Sequence, residues 1–189
     1  MSLEPLKTEN LIFRELTMDD VFDIYCLYSD NKVMRFDQGE PFTDIREAEE
    51  LVNAFKESNC SHRSVSWGVE LKEAKKIIGT CGFKNWDRLS HHSEIGGNIS
   101  AEYWGNHYGT EVLQFMLTYG FNKMDLNKIY AYTTVDNSSV LRLMGKYGFK
   151  QEGRLEEHQL LEGVFEDVCV FSLLKKNTPS FKDLLSMNS

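Results

Sequence analysis

The stretch Tyr103-Trp104-Gly105-Asn106-His107-Tyr108-Gly109-Thr110-Glu111 decides how the rest of the chain is read, because an apolar helical stripe starts directly after it. Val112, Leu113, Met116, Leu117, Gly120, Phe121 and Met124 follow at i, i+3, i+4 spacing, which predicts a helix with one face in a core. Glu94-Ile95-Gly96-Gly97-Asn98-Ile99, just before the loop, reads as a strand. Strand, glycine loop and helix start make an anion cradle. The first N–H groups of a helix have no internal partner, and the macrodipole adds partial positive charge there. Gly105 and Gly109 let the main chain approach a ligand without a side chain in the way. Neither GxGxxG nor GxxxxGK[ST] is present, so the loop alone reads equally as a turn and an N-cap.

Working outward, Leu11–Leu16 is an opening strand, and Thr17 with Asp20 resembles a capping box ahead of Val21, Ile24, Tyr25 and Tyr28. Asp44 with Glu47 starts a second helix, with Ala48, Leu51, Val52 and Phe55 on one face. Asn59 to Arg63 reads as a polar loop. Strands are expected at about Ser64–Leu71, Lys76–Phe83 and Ser93–Ile99. Lys128–Val135 is a further strand, rich in β-branched residues and tyrosine. Asn137 caps a short helix bearing Val140, Leu143, Met144 and Tyr147, which Gly148 ends. Two last strands, about Phe149–His158 and Val164–Leu174, are joined through Leu161-Glu162-Gly163. The order β α α β β β α β α β β needs a parallel crossover between 93 and 135, while short turns elsewhere give antiparallel pairs. The expected fold is α/β: a mixed, mostly antiparallel twisted sheet with helices on both faces and a central parallel strand pair.

At 189 residues, with 41% apolar and 26% charged side chains, the chain suits one globular domain over residues 1–175. Residues 176–189 read as a tail in which Phe181, Leu184 and Leu185 form a short apolar trio, a docked helix over 178–186 with a role in a homodimer. No apolar run has the length of a membrane span, and the N-terminus lacks a signal pattern, so no membrane partner is expected. Cys26, Cys60, Cys81 and Cys169 are scattered without a CxxC pair, which argues against a zinc site or a disulfide framework and fits reduced thiols in a cytoplasm. No metal site is expected. Acidic side chains outnumber basic ones by 29 to 21, for a formal net charge of −8. That balance disfavours nucleic acid and favours a cationic substrate, or simply keeps the protein soluble.

The element order, the loop, Asn137 and Gly148-Phe149 at their spacings resemble the GNAT superfamily of N-acetyltransferases. Leu11–Asp20, Glu94-Ile95-Gly96, Glu102–Glu111, Asn137–Phe149 and Gly163–Asp167 running into Phe171–Leu174 look most like its ribosomal-protein N-terminal (Rim-type) branch. The resemblance covers roughly residues 8–174. It implies acetyl-CoA as donor and a primary amine as acceptor, either the N-terminal α-amino group of a protein or peptide or a small amine.

The family's cradle pattern, Arg/Gln-x-x-Gly-x-Gly/Ala, falls on Trp104, Gly105, Asn106, His107, Tyr108 and Gly109, with Thr110 following. His107 stands where the middle glycine belongs. Either the loop shifts or a histidine takes a left-handed conformation there, as it can less readily than glycine. The resemblance also implies that the strand before the loop pairs with the pantetheine arm, with Ile99 as the contact, and that the Asn137 amide touches the same arm.

The implied reaction is attack of a neutral amine on a thioester, which calls for a base and a proton source for the thiolate. Glu94, ten residues before Trp104, matches the strand glutamate of several family members and is the candidate base; the alternative is a solvent-facing strand residue. A half-buried carboxylate suits that work. The acid stays unassigned. Met144 stands where many relatives have tyrosine, Val140 where Rim-type members often have serine, and Gln159 where some have a glutamate assigned as base. Ser138, Ser139, Tyr147 and His158 are the remaining neighbours. Three readings stay open: a protein or peptide α-amine acetyltransferase, a small-amine (polyamine or antibiotic) acetyltransferase, and a module that binds acetyl-CoA without turnover.

Overall fold

The computed structural model describes residues 3–37, 39–61, 64–161 and 163–178. Its strands are β1 (Leu6–Lys7), β2 (Leu11–Arg14), β3 (Val65–Leu71), β4 (Lys76–Asp87), β5 (His92–Ile99), β6 (Lys128–Thr134), β7 (Lys150–Leu161) and β8 (Val164–Leu174). The helices are α1 (Val21–Tyr28), α2 (Asn31–Met34), α3 (Ile45–Ser61), α4 (Tyr108–Asn122) and α5 (Ser138–Lys146). The strands form one sheet in the order β1-β2-β3-β4-β5-β6-β8-β7, and among the described strands β5 and β6 alone pair in parallel. The crossover helix between them is α4, as its apolar stripe requires.

The two faces of the sheet bury different cores. On one, α4 and α5 pack Leu113, Met116, Leu117, Phe121, Met144 and Tyr147 against Trp67, Phe83, Ile95, Ile129 and Leu173. Phe13 of β2 stacks on Phe115 of α4, with ring centroids 3.6 Å apart. Each such side chain taken fully out of water contributes about 1.5–3 kcal/mol. Gly120 lies mid-helix because a Cβ there would come within 2.8 Å of Ile129 Cδ1 and 3.0 Å of Phe83. Close packing of α4 on the sheet thus offsets the helix-propensity cost of about 1 kcal/mol. On the other face, Val21 and Ile24 of α1 and Ala48 and Val52 of α3 pack around Leu16 and Ile77.

Caps follow the sequence. The Asp20 carboxylate accepts from Thr17 N and Oγ1 and, through both oxygens, from Arg14. Burial opposes its ionisation, but the Arg14 and Thr17 hydrogen bonds win and hold it below the usual carboxylate range. Asp44 accepts from Arg46 N, and Glu47 accepts from Thr43 N and Asp44 N, at the start of α3.

The observed elements differ from the expected ones at four places. β1 and α2 were not anticipated. β4 runs on to Asp87, and the expected loop from Asn59 is helical through Ser61. Asn59 is buried in the last turn because its amide pairs with both N and O of Ser66 in β3, at 2.8 and 3.0 Å, so a polar residue there marks an interior contact. The expected tail helix over 178–186 lies outside the described residues except for Thr178, whose N–H closes a turn on Lys175 O. Among the described residues no helix is long and apolar enough to cross a membrane.

Candidate functional site

β5 and β6 pair at three positions only, His92 with Lys128, Ser93 with Ile129 and Glu94 with Tyr130. Beyond Glu94 the strands part. From Ile95 to Ile99, β5 keeps β4 on one side and has no strand on the other, and β6 from Ala131 onward keeps only β8. Backbone N–H and C=O groups on such edges need partners. A wedge bounded by two open edges accepts an extended chain with its own amides as an added strand.

The quoted loop sits at the wide end of this wedge. Gly105 has φ +83°, and His107 is left-handed at φ 63°, ψ 4°. Histidine therefore keeps the geometry that a glycine would supply, at a local cost of roughly 1 kcal/mol. A Cβ built on Gly105 or Gly109 meets nothing within 4 Å, so the cradle is open above both. Thr110 N and Glu111 N donate to His107 O. The N–H groups of Tyr108 and Gly109, first in the helix, have no acceptor among the described residues. Asn106 Nδ2 donates back to Tyr103 O, and Trp104 Nε1 donates to Ile99 O at 2.7 Å. Ile99, the expected arm contact, thus has its carbonyl engaged by the loop, with one lone pair left over. The acidic Glu111 of the first turn accepts from Thr8 Oγ1, Asn10 N and Asn10 Nδ2, which ties α4 to the segment before β2.

Asn137 ends the opposite edge. Its side-chain oxygen accepts from Val140 N at 3.3 Å and caps α5, while its amide nitrogen has no partner among the described residues. One side chain can cap the helix and still donate to a ligand. Three residues earlier, Thr134 is buried and its Oγ1 has no hydrogen-bond partner. Sequence reasoning passed over it, since nothing in a strand-end threonine signals that its hydroxyl will be enclosed.

Glu94 lies at the narrow end, half-buried, with Oε2 accepting from Asn85 Nδ2 at 2.9 Å. Burial and then the Glu94 charge push the neighbouring Tyr130 phenol above its ordinary range. Lys84, paired with Glu94 across β4 and β5, reaches along the sheet, so that a Cβ on Gly96 would lie 3.8 Å from its Nζ. Tyr130, Tyr132 and His158 follow on the same face, with centroids 5.9 and 6.2 Å apart in turn.

The other neighbours supply no proton donor at the wedge. Met144 and Tyr147 are in the core, Val140 packs against it, and Ser138 and Ser139 are exposed. Gln159 is buried opposite Glu166 in the β7–β8 hairpin. The Leu161 end of that hairpin meets Asn31, Met34 and Arg35 of α2 and its C-cap, with Gly39, Glu40 and Pro41, around a cavity of about 300 Å³. Asn98 Nδ2 donates to Asp37, and Tyr28 shares a 2.7 Å hydrogen bond with Thr80.

Comparison with known proteins places this arrangement. The family model described as the acetyltransferase (GNAT) domain matches residues 10–150. The chain is 31% identical over 175 residues to the uncharacterized N-acetyltransferase p20 of Bacillus licheniformis, spanning 92% of this chain and 98% of that one. It superposes on spermidine N-acetyltransferase from Vibrio cholerae, a structure in complex with CoA and spermine, with TM-score 0.79 and 25% identity over 90% of this chain and 98% of that chain. The ribosomal-protein-S5-alanine acetyltransferase of Vibrio fischeri shares the fold at TM-score 0.81 and 19% identity, over 93% of this chain and 100% of that one.

Proposed function

The chain belongs to the GNAT acetyltransferase family, and from that premise we propose that it transfers the acetyl group of acetyl-CoA to the α-amino group of a protein or peptide. The observation that carries the donor half is the open edge of β5 running away from a helix start whose Tyr108 and Gly109 N–H groups are free. The residues suit the donor: a loop open above Gly105 and Gly109 for the pyrophosphate, an extended edge for the amide-bearing arm, and unpartnered polar atoms on Asn137 and Thr134 for its further end.

In this reading the acetyl thioester supplies an activated carbonyl. The amine must reach it neutral, and Glu94, directly or through a water, takes the ammonium proton. Asn85 holds that carboxylate in one orientation. Aligning both substrates in the wedge supplies much of the acceleration.

The cations on the acceptor side favour a single α-amine over a polyamine. Lys84 Nζ stands over Gly96 without a partner among the described residues, and Arg35 lines the cavity near Leu161. Both repel an acceptor carrying several positive charges. A small polyamine is the second reading, supported by the likeness to the spermidine enzyme. A panel of peptides with free N-termini, set against spermidine and spermine and assayed by CoA release, separates the two. The first reading expects the peptides to turn over faster; faster turnover of spermidine would reverse the order.

A further inference from the structure

Thr134 is the last residue of β6; it is 3% exposed, and its Oγ1 has no partner. Ile129 and Ala131 of the same strand face the α4 core, so Tyr130, Tyr132 and Thr134 lie on the other face. Continuing the parallel register past Glu94 and Tyr130 in steps of two brings Gly96 level with Tyr132 and Asn98 level with Thr134, across the opening. A buried hydroxyl left unsatisfied is costly and rare in native proteins, and this one stands where two strands separate around a site.

The direction of the donor follows from the fold. With its pyrophosphate at the start of α4, which follows the Ile99 end of β5, the arm runs back along β5 toward the junction at Glu94 and Tyr130. The end nearest that junction carries the sulfur. We propose that the Thr134 hydroxyl donates a hydrogen bond to the donor's sulfur and stabilises the thiolate as the C–S bond breaks; this rests on the acetyl-CoA reading above. The amine nitrogen forms the new C–N bond, and the C–S electron pair goes to sulfur. The ammonium proton leaves to Glu94 or water. Sulfur takes its proton from water, and Thr134 keeps its own. A hydrogen bond to the thiolate thereby does part of the work for which Met144 and Val140 are chemically unsuited.

Calorimetric titration of the full chain with CoA and with desulfo-CoA tests the idea at pH 7 and at a pH above the thiol's ordinary value of about 8.5. Thr134→Val is expected to leave the melting temperature of the free protein unchanged or raised, since it deletes an unsatisfied group. It should weaken CoA binding at the higher pH by about tenfold or more and leave desulfo-CoA unaffected. Thr134→Ser should behave as wild type. Thr134→Ala repeats the comparison should valine pack badly. The bound thiol, followed by its ultraviolet thiolate absorbance, should titrate lower in wild type than in the valine variant. Equal losses for CoA and desulfo-CoA, or no loss for either, overturns the sulfur contact. Failure of the wild type to bind desulfo-CoA overturns the donor reading itself.

Discussion

Trp104 Nε1 donates a 2.7 Å hydrogen bond to the carbonyl oxygen of Ile99, and so joins the glycine loop to the end of the strand on which the donor's arm is to lie. The indole is half-exposed, so its burial contributes little to the core. Its role is to fix the angle between the edge of β5 and the free N–H groups at the start of α4.

Trp104→Phe removes that donor and keeps an aromatic ring. One neutral hydrogen bond is worth about 1 kcal/mol, or roughly fivefold in affinity. The expected result is a Kd for CoA several-fold higher with little change in melting temperature, measured by titration and thermal unfolding on the same sample. An unaltered Kd would mean that the loop holds its shape without Ile99.

Gly109→Asp separates ligand binding from folding. No side chain or backbone opposes a Cβ at that position. A carboxylate in the first helical turn is favoured by about 0.3–1 kcal/mol through the helix dipole. The free variant should melt at or above wild type, yet CoA should no longer raise its melting temperature, because the added charge lies where the pyrophosphate binds. An undiminished CoA shift would remove the anion site from this loop.

Glu94→Gln keeps the hydrogen bond from Asn85 within reach and deletes the base. Turnover should fall by about 10²-fold or more while the KM for acetyl-CoA changes far less, and the acidic limb of the pH–rate profile should be lost. Wild-type rates across the pH range would make Glu94 a structural residue.

Tyr28 tests the packing of α1 on the sheet. Burial pushes its phenol up to about 12, with the Thr80 hydrogen bond opposing. An unfolded tyrosine titrates near 10. A group whose folded value is raised contributes its full stability below the unfolded value. That contribution is lost as pH climbs from about 10 through about 12. Tyr28→Phe should therefore show a shallower loss of stability across that window in urea titrations at stepped pH, after a loss of about 1 kcal/mol at neutral pH from the missing hydrogen bond. An identical alkaline slope in both proteins would count against a buried, protonated Tyr28.

How far the sequence could be read depended on length and periodicity. The stripe from Val112 to Met124 spans several turns, and it fixed α4, hence the crossover and the parallel pair of β5 and β6. Asn137 and Gly148 marked the ends of α5 through local capping chemistry, which needs no distant partner. By contrast α2 has four residues and β1 two, too few for any period to register. Asn59 looked like a loop residue because its partner, the Ser66 backbone, belongs to another element. The same limit hid the site's less obvious members. That Lys84 leans over Gly96, that Trp104 takes the Ile99 carbonyl and that the Thr134 hydroxyl is enclosed all depend on strand register and packing, which no local pattern encodes.

The most direct test is to mix the protein with acetyl-CoA and peptides bearing free N-termini, and to follow both CoA release and the mass of the peptide. The account predicts peptide-dependent CoA release, with one acetyl group on the N-terminal nitrogen of the product and none when that nitrogen is blocked in advance. CoA release no faster than spontaneous hydrolysis with peptides and small amines alike, from a protein that still binds CoA, would contradict it.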